Sequence, residues 1–217
     1  MAVAYESQAS GTATGATSLT FSATPGGSNR LLIVVAGARS NTVTLSATFD
    51  GVAMTQIAQL NVNQNDVCRL AAFYLNAPSA STANVVITSS GSTNLRGCSV
   101  NYTGCLQTSS VIDGSNSGQN DGLANLNVAI TTSFANTWGV CCNAATASVA
   151  TVNSFTSRSN AGSTPGVRIS DKNAALTVGS NTATISGNGG FDDNANIFFG
   201  IREYVAVTTF VPTIMMS

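Results

Sequence analysis

Few side-chain types can carry out chemistry, and this sequence is short of nearly all of them. Its 217 residues include no histidine. That removes Ser-His-Asp and Cys-His nucleophiles, His-ligated zinc or iron, and an imidazole general base. Paired carboxylates could still hydrolyse a glycosidic bond, because two acids flanking a cleft suffice. Only two glutamates are present, Glu6 near the start and Glu203 near the end, and the nine acidic residues are scattered. The densest acidic site is Asp192-Asp193 in GNGGFDDNAN, with Asn188, Asn194 and Asn196 as further oxygen donors. A calcium loop needs several such oxygens to converge, and this spacing fits no standard loop, so Asp192 and Asp193 are weak metal candidates in ordinary turn material. The run Asp113-Gly114-Ser115-Asn116-Ser117-Gly118 opens like an EF-hand loop, but its twelfth position is Ala124 where the loop needs glutamate. The expectation is a protein with no catalytic residues, no cofactor and no resident metal.

Thiols are the remaining reactive type. Cys68, Cys98, Cys105, Cys141 and Cys142 are odd in number and contain no Cys-x-x-Cys pair. Zinc is therefore disfavoured. On a strand, adjacent Cys141 and Cys142 point to opposite faces. The reading is free, mostly buried thiols serving as small apolar side chains. A Cys98–Cys105 bridge across a hairpin stays open.

The elements that must position these residues are strands. From Ser18 onward, short β-prone runs alternate with turn clusters such as PGGSN, FDG, NAPSAS and DGSNSGQNDG. Candidate strands cover 18–23, 30–38, 42–49, 52–60, 67–75, 83–89, 96–103, 126–133, 137–145, 149–158, 166–172, 174–178, 183–187 and 196–207. Alternation at spacing two is clear in Val43-Leu45-Ala47-Phe49 and in Leu126-Val128-Ile130. No segment sustains a helical repeat over three turns. The apolar run Leu31–Ala38 is eight residues closed by Arg30 and Arg39, far below the roughly 20 needed to cross a membrane as a helix. It reads as a strand buried on both faces. Trp138 is expected to give bulk in the middle of the sandwich. The fold class is all-β: an antiparallel, jelly-roll-like sandwich over 18–207, with an N-terminal arm or edge strand (1–17) and an apolar C-terminal tail (208–217).

Charged residues make up 8% of the chain, against about 25% in an ordinary soluble domain. Ser, Thr, Asn, Gln and Gly must therefore form its exterior. A net charge of −1 gives no electrostatic argument for nucleic acid or an anionic membrane. Seven arginines against the single Lys172 suggest a surface packed against neighbours, or one living outside a cell; a compositional bias of the genome explains the same count.

The order of features carries a resemblance. A polar strand leads to Gly26-Gly27-Ser28-Asn29-Arg30-Leu31-Leu32 and an apolar strand, and then Thr42–Phe49 leads into Asp50-Gly51-Val52-Ala53-Met54-Thr55. Phe73-Tyr74-Leu75-Asn76-Ala77-Pro78 precedes Ala83-Asn84-Val85-Val86-Ile87, and Val100-Asn101-Tyr102-Thr103-Gly104-Cys105 follows. Over about residues 18–112 this resembles a β-sandwich module of tailed-phage structural proteins and some bacterial surface proteins. The chain departs from it at Asn76–Ser81, which lacks the module's glycine, and at Cys105, where the module prefers valine.

The resemblance implies a non-enzymatic virion protein, foremost a capsid decoration or cement protein. It would bind the major capsid protein or another virion lattice and associate with itself as a homo-oligomer such as a trimer, with neither nucleic acid nor membrane as partner. A chain with no basic-then-apolar leader and with free thiols would be made in the host cytoplasm and released in the virion by lysis. The alternative is a receptor- or carbohydrate-binding head of a fibre or adhesin, which would need aromatics over a groove; Trp138, Tyr74, Tyr102 and Tyr204 instead look strand-borne. Contact regions are expected at both termini, at loops 104–122 and 188–196, and through Phe210, Val211, Ile214, Met215 and Met216 of the uncharged tail.

Bottom-up, the same motifs fix turns. Arg30 is placed to bond loop carbonyls, Asp50-Gly51 to make a tight hairpin turn, and Pro78 to end a strand.

Overall fold

The structure, a computed structural model, describes residues 2–62, 68–120, 125–145, 151–162, 165–186 and 193–205. Among them there is no helix, and every strand pair is antiparallel. The first sheet comprises β1 (Ala4–Ala23), β2 (Leu31–Ala38), β3 (Leu45–Phe49), β4 (Val52–Ala53), β5 (Thr55–Val62), β6 (Cys68–Asn76) and β7 (Ala83–Thr103), in the order β4-β3-β7-β2-β6-β5 with β1 also on β7. The second comprises β8 (Ile112–Asn120), β10 (Trp138–Ala145), β11 (Thr156–Ala161), β12 (Gly166–Ala175) and β14 (Asn194–Ile201), in the order β11-β12-β10-β14-β8. A third, two-stranded sheet pairs β9 (Leu126–Thr132) with β13 (Gly179–Ile185). The all-β sandwich read from the pattern is the observed fold.

The centre of the first sheet is β2. Leu31, Ile33 and Val35 face the second sheet, while Leu32, Val34 and Ala36 face the other way into a separate core. All eight residues are buried, so the two-faced burial expected of this run holds. Each large aliphatic side chain so buried stabilises the fold by about 1.5–3 kcal/mol.

The outer core exists because β1 and β7 fold over together. They pair along nearly their whole length, with register shifts between Ala13 and Ser18 and a positive φ of 58° at Gly15. Beyond this bend, Leu19 and Phe21 of β1 and Val85 and Ile87 of β7 close over β2 and β6. Gly11 and Gly97, opposite each other in the ladder, leave room for this closure. A Cβ on Gly97 would lie 2.3 Å from Ile87 Cδ1, and one on Gly11 3.0 Å from Phe21 Cβ.

The second sheet is also buried on both sides. Cys142, Ile197 and Phe199 face the first sheet, whereas Cys141 and Phe198 meet Leu126, Val128 and Ile130 of the β9–β13 pair. Adjacent Cys141 and Cys142 thus separate across the sheet, as their neighbouring positions on a strand require.

Several boundaries differ from the sequence reading. The segments 83–89 and 96–103 are one 21-residue strand, β7. Of the two readings of the N-terminal segment, arm or edge strand, residues 4–17 take the second: they are the first part of β1, paired with β7 alone. The polar run 112–120, taken as a turn, is β8, whose backbone ladders onto apolar β14. The expected strand at 149–158 falls instead at β11, after an isolated bridge at Val152. Trp138 is half-buried at the end of β10, against the margin of the central core rather than in its middle.

Candidate docking surfaces

The ionisable residues are first accounted for by what they touch. Asp113 is buried, and its carboxylate accepts from the Ser133 and Phe134 backbone N–H groups (3.1 Å each) and from Thr137 Oγ1 (2.8 Å). It pins the β9–β10 turn, and its lone pairs are committed to that. Up to Asn120 the stretch that opens like an EF-hand loop is a strand, and its first acid points inward. Asp192 lies outside the described residues. Asp193 is fully buried, and Asn194 and Asn196 are buried beside it, with Asn196 Nδ2 3.7 Å from Cys141 Sγ. Among the described residues no group of three or more His, Cys, Asp or Glu is placed to hold a metal.

Asp171 forms a buried ion pair with Arg158, whose Nε and Nη2 donate at 2.7 and 3.0 Å to its two carboxylate oxygens. Tyr102 on the facing sheet donates its hydroxyl to the same carboxylate at 3.1 Å, and the Asn173 N–H donates at 3.0 Å. The guanidinium also lies 4.7 Å from the Tyr5 ring centroid, which ties β1 into the cluster. Hydrogen bonding to Asp171 holds the Arg158 pKa above its ordinary value, and burial pushes Tyr102 well above its own. Nothing here is open to a substrate, and the cluster acts as a clamp between sheets.

Several other cations are also turned to their own chain, through contacts other than ion pairs. Arg30 donates to the carbonyls of Pro78 (2.9 Å) and Gly27 (2.7 Å), as its place in the turn implied. Arg69 donates to the Asn41 carbonyl and Arg96 to those of Ala13 and Leu95. Lys172 sits 5.6 Å from the Phe155 ring. These contacts hold the cationic heads against their own chain.

All five cysteines are free and buried. Cys98 lies on β7 between β1 and β2, while Cys105 forms a bridge with Glu203, so the open bridge between them is not formed. Burial pushes the Cys98 and Cys105 thiols up to about 12, far from nucleophilic poise.

The exposed apolar residues were not anticipated. Among the described residues the large ones are Val52, Phe134, Val178 and Val205. Phe134 is 45% exposed and lies 3.5 Å beneath the Arg202 guanidinium, which also reaches the Ser110 carbonyl at 3.4 Å. The loop holding Val178 is bonded to the loop holding Phe134 through Leu176 N to Thr137 O and Thr132 Oγ1 to Thr177 O, both 2.7 Å. Phe134 and Val178 therefore share one end of the second and third sheets, whereas the chain after Arg202, which leads to Val205, runs to the Gly104-Cys105 segment that follows β7 of the first sheet, where Tyr204 N donates to the Gly104 carbonyl. The only sequence signal was an aromatic inside a turn cluster, SFANT. The tail residues Phe210, Val211, Ile214, Met215 and Met216 lie outside the described residues, as do positions 188–192 of one expected contact loop. The other, 104–122, holds the Cys105 bridge and then β8 in its described part, residues 104–120.

The aromatics that a glycan site would use are largely taken up by packing. Tyr102 is fully buried, and Tyr74, Tyr204 and Trp138 are half-buried. No protein-family model matches the chain, and no curated protein matches it.

Proposed function

We propose that the chain is a non-enzymatic structural protein that docks on a repeating protein lattice, foremost as a decoration protein of a tailed-phage capsid. The observation that carries this reading is a charge-poor exterior with exposed apolar residues at one end: Phe134, stacked beneath Arg202, and Val178 on the loop bonded to it. Aromatic and arginine side chains are the types that dominate binding energy at protein interfaces, and charge at an interface core is depleted. A lattice offers many copies of one weak contact, so modest affinity per site becomes firm attachment. The likeness of residues 18–112 to a virion module supports the choice of lattice.

The test is cosedimentation with capsids that lack the protein, prepared from the virus whose genome carries the gene. Saturable binding at a fixed ratio to capsid subunits is the expected result. Binding lost in a Phe134→Ser, Val178→Ser double variant with an unchanged melting temperature would place the contact at that end. A chain that never pellets with capsids would overturn the proposal.

A further inference from the structure

The folded-over half of the first sheet presents a second surface, far in character from the apolar end. Directly opposed residues on its outward face form rows: Ser18, Thr88 and Ser46 in one, Thr20, Val86 and Thr48 in the next. Directly opposed strand residues share a face, so these side chains stand together while Leu19, Ile87 and Ala47 point inward. The rows run into an open depression of about 460 Å³ beside the Asp50-Gly51 turn.

Its polar groups are held in place. Asp50 and Gly51 have φ of 52° and 74° and join Phe49 to Val52 as a two-residue hairpin turn. Ser79 Oγ donates to Asp50 Oδ2 at 3.2 Å. Ser22 Oγ donates to Asn84 Oδ1 at 3.3 Å, which leaves the Asn84 amide N–H groups as donors. Thr82 shares a hydroxyl bond with Thr24 at 2.8 Å, and half-buried Val86 supplies an apolar patch in the lining.

We infer that this depression binds a neutral saccharide. One carboxylate and no cation among the lining residues oppose phosphate, sulfate and nucleic acid. Hydroxyls, an amide and a carboxylate oppose a purely apolar ligand, which would leave them unpaired. Neighbouring sugar hydroxyls can donate to Asp50 and accept from Asn84 and Thr48, while a ring's C–H face meets Val86. The volume falls in the range of small-molecule sites, about 300–1,000 Å³, and accommodates one or two sugar rings. No aromatic ring lines it, so a single site binds weakly. Copies arrayed on a lattice would multiply that affinity. Single-site binding does not depend on the docking reading.

The test is a titration of the full chain, followed by amide proton–nitrogen spectra, with glucose, galactose and mannose taken separately to tens of millimolar. At least one sugar is expected to give saturable shifts confined to the lining, foremost Thr48, Asp50, Gly51, Asn84 and Val86. Asp50→Asn keeps the turn, since asparagine tolerates positive φ, and is expected to weaken binding about tenfold. Asn84→Ala, which leaves the Asn84 carbonyl bonded to Asp50 N, is the second variant, expected to abolish the shifts with the rest of the spectrum unchanged. No shift with any of the three sugars, scattered shifts, or shifts unchanged in both variants would overturn the inference. Capsid cosedimentation of Asp50→Asn is expected to match the parent, so the two proposals fail separately.

Discussion

Asp171 is where single-residue energetics are most exposed to test. Its carboxylate is fully buried and serves Arg158, Tyr102 and Asn173 at once. Removing one partner of a buried ion pair leaves the other charge uncompensated, a loss of about 3–5 kcal/mol. Asp171→Asn is therefore expected to lower unfolding free energy by that amount in urea titrations, with Tyr102→Phe costing about 1.5–3 kcal/mol for a lost bond to a charged acceptor. The thiols give a pH signature. Burial raises Cys98 and Cys105 to about 12 from an ordinary value of 9.0, and raises Cys141 and Cys142 as well. Above pH 9 the unfolded chain sheds these protons while the folded chain keeps them. The stabilisation is thus complete below about pH 9 and is lost as pH climbs toward 12, at up to ~1.4 kcal/mol per pH unit for each thiol. Melting in the presence of reductant from pH 7 to 11 should show a flat region and then a steep fall, shallower in Cys98→Ala. A thiol-reactive dye should label none of the five cysteines until denaturant is added.

At the scale of elements, packing distances separate tolerant glycines from intolerant ones. A Cβ on Gly200 of β14 would lie 2.4 Å from Thr137 Cγ2 and 2.6 Å from the Asp113 carbonyl oxygen, which is backbone and cannot swing aside. On Gly118 of β8 it would meet only side-chain atoms at 3.2 and 3.3 Å. Gly200→Ala should therefore destabilise by about 1–3 kcal/mol and Gly118→Ala by well under 1 kcal/mol, read from denaturation midpoints. The same elements explain what was legible in the sequence. β2 announced itself because both its faces are apolar, and the Asp50-Gly51 hairpin because positive φ has few residue choices. β8 was hidden: Asp113-Gly114-Ser115-Asn116-Ser117 has turn composition, and only the apolar β14 beside it makes a strand of that backbone. The fold of β1 onto β7 was hidden too, because it depends on Gly11 meeting Gly97, a pairing 86 positions apart that no local window contains. At the end where Phe134 is exposed, Arg202 and Phe134 lie far apart in sequence, so their stacking had no local signal.

At the scale of the whole molecule, residues 4–103 build the first sheet and 112–201 the second and third, with the first two sheets packed around a shared interior. The start of the chain belongs to that architecture. Glu6 accepts from the Gly26 N–H and the Asn101 amide, both at 3.1 Å, and the Ser7 hydroxyl foremost among its hydrogen bonds holds its pKa below the ordinary value. Deleting residues 2–12 should therefore unfold or grossly destabilise the protein, seen as a lost cooperative melt; an appended arm would have left the melt intact. The long β7 sets the order of events during synthesis. β1, β2 and β3 all take their place against β7, yet all three leave the ribosome before it. At about 5–20 residues per second, β1 waits on the order of several seconds for its mate. In that interval the nascent chain carries its most water-averse run, Leu31–Ala38, with no ladder neighbour except β6, so the local β3–β4 and β5–β6 pairs and the β2–β6 ribbon should form on the ribosome, with β1 and β3 joining them only once β7 has emerged through Thr103.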